Sequence, residues 1–557
     1  MYKTLLAFLI PAFCFLTSTA QKETAPNGWH LLDKETDGYY GVSAQKAYDF
    51  IKSKNLKSKT VLVAVIDTGI DTLHEDLKSI LWTNPREIPG NGIDDDKNGY
   101  IDDIHGWNFL GGKDGRNVKE DSREEARLYH GLKAKYQGKE REDIDPAHTA
   151  EYDTWRKAKA KIMGEDEPNG IDFLVLKKSF LGLQKSDSIL KVALTKEIFT
   201  GKELESFMAR TETVRRARYD LLSLMKLNNQ VEETNKDFMD GFEEYVTLEE
   251  RKEADRNNIP QNYRAQIVQD DENNVNDRNY GNNNVMADYI MHGTHCAGII
   301  GAVRNNGIGV DGIADNVRIM MLRAVPEGDE HDKDIANAIR YAVDNGAQII
   351  SMSFGKDFSP NKQWVDEAFR YAESKNVLLV KASGNDNKNV DVEESYPSTT
   401  YLNGGKAGNV ITVGASGDPK TGGLMAYFSN YGRKEVDVFA PGVKIYSTMP
   451  GGNNYGNQNG TSMACPLVAG IAALTLEYFP SLTAKQLKYI IETSAQQPPY
   501  KVKKPGSDEM VNLSDICKTG GIVNAYEALK LASTLKGEYK QPKEILPKPK
   551  LVRSKKG

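Results

Sequence analysis

Residues 61–66 read Val-Leu-Val-Ala-Val-Ile, and the runs at 347–353 and 377–382 are apolar in the same unbroken way. A strand with one face in water alternates apolar and polar residues, whereas a run apolar at nearly every position has both faces covered. Between and around these runs lie 334–344 and 364–374, which repeat their apolar residues at helical spacing. Strands covered on both sides and alternating with helices predict an α/β fold, a parallel sheet held between two helical layers. Residues 467–478 and 483–493 add an apolar and an amphipathic helix. The chain is 39% hydrophobic and 27% charged, which excludes a disordered chain, a collagen and a multi-span membrane protein. Its net charge of −6 carries no basic excess of the kind that marks a nucleic-acid partner.

At 557 residues, division by a typical domain of roughly 150 predicts three or four domains. Residues 116–270 break that picture. Of these 155 residues 59 are charged, against 91 of the other 402, and only 7 of the 48 glycines fall here. High charge with few helix breakers predicts solvated helices inserted into a larger domain. Phe207, Val214 and Leu221 recur every seven residues with Ala217 and Leu224 between them, the pattern of one amphipathic helix packed on a neighbour. The segment reads either as a helical hairpin with a solvated face or as a partner-binding element.

The ends carry their own signals. Lys3, the apolar run 5–16 and the small residues Ser18-Thr19-Ala20 have the form of an export signal over 1–20. The apolar run is short for a membrane anchor, which remains the alternative. Cys14 follows Phe13 rather than a small residue, which disfavours a lipoprotein cleavage site. The expected location is exported: periplasm, cell envelope or medium. Residues 21–40 form a leading segment, and the Lys- and Pro-rich stretch 531–557 reads as a flexible tail. Cys296, Cys465 and Cys517 are too few for a disulfide scaffold, so a large core must hold the fold.

Three separated segments carry chemistry. Asp67, in Asp67-Thr68-Gly69-Ile70-Asp71, directly follows an apolar strand, at the sheet edge where α/β enzymes keep their sites; alone, it is equally a strand-end cap. His292-Gly293-Thr294-His295-Cys296-Ala297-Gly298 places an imidazole before small residues that let a helix pack closely. It lacks the Glu of an H-E-x-x-H zinc motif. Gly460-Thr461-Ser462-Met463-Ala464-Cys465-Pro466 puts a serine at the start of an apolar helix, whose positive end favours developing negative charge; alone, it is an N-cap. A serine becomes a nucleophile when a base takes its proton and a carboxylate orients that base. The order Asp, His, Ser distinguishes one of several unrelated serine-hydrolase folds.

These three segments resemble those of the subtilisin family of serine proteases, the subtilases. The resemblance implies a three-layer α/β/α parallel-sheet fold over 41–115 and 271–530, with 116–270 inserted. It implies a serine endopeptidase in which Asp67 orients, His292 is base and acid, and Ser462 attacks the peptide carbonyl. Lys381-Ala382-Ser383-Gly384-Asn385-Asp386 resembles the oxyanion segment, with Asn385 as donor beside the Ser462 amide. Ser351-Met352-Ser353-Phe354-Gly355 resembles the substrate-pairing strand. Ser353, Phe354, Gly355 and Ser395, in Ser395-Tyr396-Pro397, are then expected at the substrate. Partners are protein or peptide substrates, with no nucleic acid and no anchor after signal cleavage; the oligomeric state stays open.

Several features depart from, or add to, that pattern. The insertion separates Asp67 from His292 by 225 positions and is expected to be a lid or an exosite near Ser462. About 20 residues between signal and catalytic domain leave no room for the usual inhibitory propeptide. Cys296 and Cys465 are expected to lie close beneath the site, paired or as adjacent thiols. Asp94, Asp96, Asn98 and Asp102, with Gly99 among them, carry the oxygen-rich spacing of a calcium loop, so a structural Ca²⁺ and no organic cofactor is the expectation. The alternative is a solvated acidic turn. The run 270–274 is a weaker second candidate. Rival readings of the chain are a processing protease or transpeptidase of the same fold, and a non-catalytic binding protein.

Overall fold

The computed structural model describes residues 25–164, 173–228, 230, 231, 234–420 and 423–539. The expected export signal at 1–20 and the last part of the expected tail, 540–557, lie outside the described residues.

Seven strands form one parallel sheet: β1 (Val61–Asp67), β2 (Gly106–Asn108), β3 (Val317–Arg323), β4 (Ile349–Met352), β5 (Leu378–Ala382), β6 (Val410–Ser416) and β7 (Val438–Pro441). Their spatial order is β2-β3-β1-β4-β5-β6-β7. β1 is an interior strand, with Val63 level with Ile319 on one side and Ile349 on the other. An antiparallel pair, β8 (Ile445–Met449) and β9 (Asn454–Gln458), stands beside the sheet.

The helices in chain order are α1 (Ala44–Ser53), then α2 (Glu124–Tyr136), α3 (Thr149–Met163), α4 (Phe173–Leu194), α5 (Gly201–Ser206), α6 (Glu212–Leu227) and α7 (Asn235–Asn257) in the insertion. The domain resumes with α8 (Met291–Gly301), α9 (Asp332–Asp344), α10 (Lys362–Ser374), α11 (Thr461–Tyr478), α12 (Ala484–Thr493) and α13 (Ala525–Ala532). Val61, Val63 and Val65 point into a core shared with α1, α8, α11, α12 and α13. Ala64 and Ile66 point into a second core with α9 and α10. The strand period of two thus feeds two helical layers, which is why the runs are apolar throughout. α11 is apolar and long enough to cross a membrane, but 89% of it is buried here as the central core helix.

Boundaries moved where capping chemistry acts. Thr483 is the N-cap of α12 in a capping box with Gln486 rather than its first residue. α9 begins two residues earlier than expected, with Asp332 and Asp334 in its first turn, where carboxylates favour the helix dipole.

The insertion is helical, as its composition predicts, but its described residues hold six α-helices rather than a hairpin. The seven-residue repeat is not one helix: Phe207 follows the end of α5, and α6 starts after its N-cap Thr211. All five repeat residues still meet in one small core with Phe238 of α7, Phe207 packing there from the extended connection between α5 and α6. The leading segment is not separate either, since Trp29 and Tyr39 are buried in the main core and Trp29 Nε1 donates to the Val443 carbonyl (3.0 Å). At the other end, 531–539 is not free tail: Ala532 is buried and the Tyr539 amide donates to the Ser481 carbonyl.

Candidate active site

The three chemical segments converge at the carboxyl edge of the sheet. Asp67 ends β1 and is 1% exposed. Its Oδ1 accepts from the Thr68 amide and lies 2.7 Å from His292 Nδ1. Gly293, the next residue, is where α8 crosses closest to β1: a Cβ there would sit 2.2 Å from the Gly69 carbonyl oxygen. Glycine at this position is therefore what lets the imidazole reach the aspartate. Burial alone would lower the His292 pKa, but the Asp67 carboxylate outweighs it and holds it well above the ordinary histidine value.

Ser462 lies in the first turn of α11, where its amide has no acceptor within the helix. Gly460 is the N-cap of this helix, and its φ of 151° suits glycine. Ser462 Oγ donates to the Ser353 carbonyl (3.1 Å) rather than to the imidazole. Asn385 Oδ1 accepts from both the amide and the hydroxyl of Thr461, each at 2.9 Å. With its oxygen committed, the Nδ2 donor is the free end of that side chain.

His292, Ser353, Phe354, Gly355, Asn385, Ser395 and Ser462 all line one cleft of 360 Å³. The predicted catalytic and substrate residues are thus brought together, apart from Asp67, which stands behind His292. Sequence reasoning missed two insertion contacts at this cleft. Arg251 of α7 lines it and is ion-paired with Glu327. Glu124 of α2 accepts from Lys356 Nζ at 2.7 Å, directly beyond the Ser353–Gly355 segment that follows β4, and Asp332 lies 3.0 Å from the same ammonium. Burial disfavours both charges, but the pairing holds the Glu124 carboxyl well below the usual carboxylate range. Only the high charge of 116–270 signalled such contacts.

The two cysteines beside the site are free and buried, as is Cys517. Cys296 Sγ lies 3.4 Å from the Ser462 carbonyl and 4.0 Å from His292 Nδ1, while Cys465 donates to the Val380 carbonyl (3.3 Å). The thiols are therefore separate, not paired.

Of the expected calcium ligands, the structure gathers only Asp96 into a carboxylate cluster, with Glu87 and Asp103, their oxygens within 4.8 Å of one another. Asp94 turns to the amides of Asn98 and Gly99, and Asp102 to those of Gly90, Asn91 and Gly92. Asn98 Nδ2 donates to Asp103. Burial pushes the Asp103 carboxyl up to about 6. Glu87 and Asp103 lie outside or at the end of the linear motif, which is why spacing alone did not select them. The weaker candidate at 270–274 is corrected: Asp270 is buried between Arg264 (2.8 Å) and Lys333, which already neutralise it.

A parallel sheet with aspartate, histidine, serine and asparagine at its carboxyl edge defines a subtilisin-like α/β protein. The subtilase family profile matches residues 58–514, and the chain belongs to that family. Over 185 residues it is 44% identical to a thermophilic serine proteinase of Bacillus sp. (strain AK1), covering 33% of this chain and 42% of that one. Over 208 residues it is 37% identical to subtilisin DY of Bacillus licheniformis, covering 37% of this chain and 70% of that one. The match to the first thus spans less than half of that relative's length. Among solved structures, a protease of Pseudoalteromonas arctica aligns over 91% of this chain and 100% of its own at 20% identity, with a TM-score of 0.45.

Proposed function

We propose that this subtilase is a serine endopeptidase that cleaves peptide bonds through an acyl-enzyme on Ser462. The observation that carries the reading is the 2.7 Å contact of His292 with Asp67 in the cleft that Ser462 and Asn385 share. Asp67 fixes the imidazole with Nδ1 toward the carboxylate, leaving Nε2 to take the Ser462 proton. Ser462 Oγ turns from the Ser353 carbonyl to attack the substrate carbonyl. The charge that develops on oxygen meets Asn385 Nδ2 and the Ser462 amide, aided by the α11 dipole. His292 then protonates the leaving amine, and water, activated by the same imidazole, releases the acid. Extended substrate pairs with the backbone of Ser353 to Gly355, as a strand added to a sheet edge. Mass spectrometry of products from a peptide mixture tests this. Cuts carrying new free carboxyl termini are expected with the native chain and none with Ser462→Ala; ligated products would instead indicate transpeptidation.

The insertion acts as a lid in this reading. Arg251 in the cleft, Glu124 on Lys356 and Lys161 of α3 on Asp357 hold the helices against its rim. Such a rim admits extended chains more readily than folded proteins.

Calcium fits the cluster of Glu87, Asp96 and Asp103. Its donors are all oxygen, as a hard divalent cation prefers, and burial, with a small contribution from Asp96, raises the Asp103 carboxyl when no cation is bound. Asn98 reaches the cluster through Nδ2, which donates to Asp103. The ion's part would be structural, tying the 84–103 loop to α9 through Asp103 and Tyr341.

The first 20 residues support export, which fusion of residues 1–25 to a reporter enzyme tests by its appearance outside the cytoplasm.

A further inference from the structure

A second cavity, of 320 Å³, lies behind the substrate cleft and shares Ser395 with it as a common wall. Lys381, on β5 four residues before Asn385, lines this cavity while being 4% exposed. No hydrogen bond or ion pair reaches its ammonium among the described residues. Two further polar atoms on the same wall, Thr412 Oγ1 and Tyr401 Oη, are buried without partners. Thr412 is the residue level with Lys381 on the neighbouring strand.

The other charges facing this space are already committed, apart from Glu393 at the exposed rim. Glu435 is bound by Lys406 (2.6 Å) and Thr399 (2.7 Å), and Lys362 by Asp366 (2.5 Å). Asp437, beyond Thr412, pairs with Lys488 (3.0 Å). Asp391 caps the amides of Lys434 and Glu435. Glu393 is exposed at the rim, and Glu394, also at the rim, pairs with Lys157. One ammonium without a hydrogen-bond or ion-pair partner therefore remains, in a cavity that meets the substrate cleft at Ser395. Burying a lysine without a partner is costly, and the group that would satisfy it is an anion with oxygen acceptors. Burial also pushes the Lys381 pKa down to about 8, leaving the ammonium charged at neutral pH.

We propose that Lys381, with Thr412 beside it on β6, forms a carboxylate-binding subsite behind Ser395, which takes the acidic side chain of the substrate residue just before the cut. The inference rests on the peptidase reading above and adds a substrate class to it. A free small carboxylate shares the chemistry and is the other source.

The test compares kcat/KM for peptides that differ only in glutamate or glutamine before the cut. The native chain is expected to favour glutamate by on the order of 10- to 100-fold, the range for a charge-assisted hydrogen bond in a buried site. Lys381→Met is expected to abolish or invert that ratio and Lys381→Arg to retain part of it. Fluorophosphonate labelling shows that each variant is folded, and Thr412→Val, which keeps the charge, should lower the ratio less. Competition by acetate or propionate, lost in Lys381→Met, assigns the subsite to free carboxylates if the peptide ratio is near one. A chain that labels and cleaves peptides, shows no glutamate preference and ignores both acids overturns the subsite alone. A chain that neither labels nor cleaves any peptide refutes the peptidase reading instead.

Discussion

Asn385 is held by its oxygen and works through its nitrogen, so the two halves of the side chain can be tested apart. Asn385→Ala removes both the Nδ2 donor and the acceptor that binds the Thr461 amide and hydroxyl. Loss of the donor raises the barrier by about 2.7–4 kcal/mol, a fall of roughly 10²–10³ in kcat. Loss of the acceptor removes a capping bond at the start of α11, worth about 0.5–2 kcal/mol of stability. Asn385→Asp is the informative partner, because its carboxylate keeps both bonds to Thr461 while the donor is gone. It is expected to retain the native Tm within a degree or two yet to lose at least 10² in kcat, since a negative charge now faces the developing oxyanion. KM should change little in either variant, the donor acting on the transition state more than on bound substrate. The assay is steady-state hydrolysis of a short chromogenic peptide beside thermal unfolding. An Asn385→Asp protein within tenfold of native kcat would refute the assigned role, and equal Tm losses in both variants would refute the anchoring.

Other outcomes follow from the same geometry. Because Asp67 raises the His292 pKa and catalysis needs the neutral imidazole, the acid limb of kcat/KM should lie above pH 6.5; Asp67→Asn should shift it downward and cut kcat by on the order of 10⁴, read from pH–rate profiles. Chelator should lower the Tm, and more so above pH 6 than at pH 4. The ion-free Asp103 carboxyl, its pKa raised from 3.8 to about 6, gives full stability below its unfolded value and loses it as pH rises through 6, where calcium then counts most. Cys296, Cys465 and Cys517 should each react with a thiol reagent on unfolding without reductant, and none while folded. Arg251→Glu, which replaces the ion pair with Glu327 by a repulsion, should raise cleavage of a folded protein several-fold relative to a short peptide; equal changes on both would remove the lid.

What could be read from the sequence was what is contiguous in it. Residues 61–66 and 377–382 announce strands because both faces of each are buried, and the segments around Asp67, His292 and Ser462 each fit within a single turn or helix start. Which strand lies beside which was not readable: β1 pairs with β3, some 250 residues away, and nothing local in Val61–Asp67 encodes that neighbour. The same limit hid Glu87 and Asp103, which join Asp96 only when the loop closes. It hid Arg251 and Glu124, which in sequence are two more charges in a charged segment. The seven-residue repeat misled for a related reason. An apolar face records what a residue packs against, not whether one helix carries it there, so Phe207 kept its packing after the helix had ended. Lys381 drew no notice as a charge because its lack of partners is a property of the folded surroundings alone.

The central claim is that Ser462 is a nucleophile activated by His292 and Asp67. Labelling with a fluorophosphonate, followed by mapping of the modified peptide, tests it most directly. The account predicts one adduct per chain, on Ser462, with labelling lost in Ser462→Ala and slowed by orders of magnitude in His292→Ala. Labelling that persists in Ser462→Ala, or an adduct mapped to another residue, would contradict it.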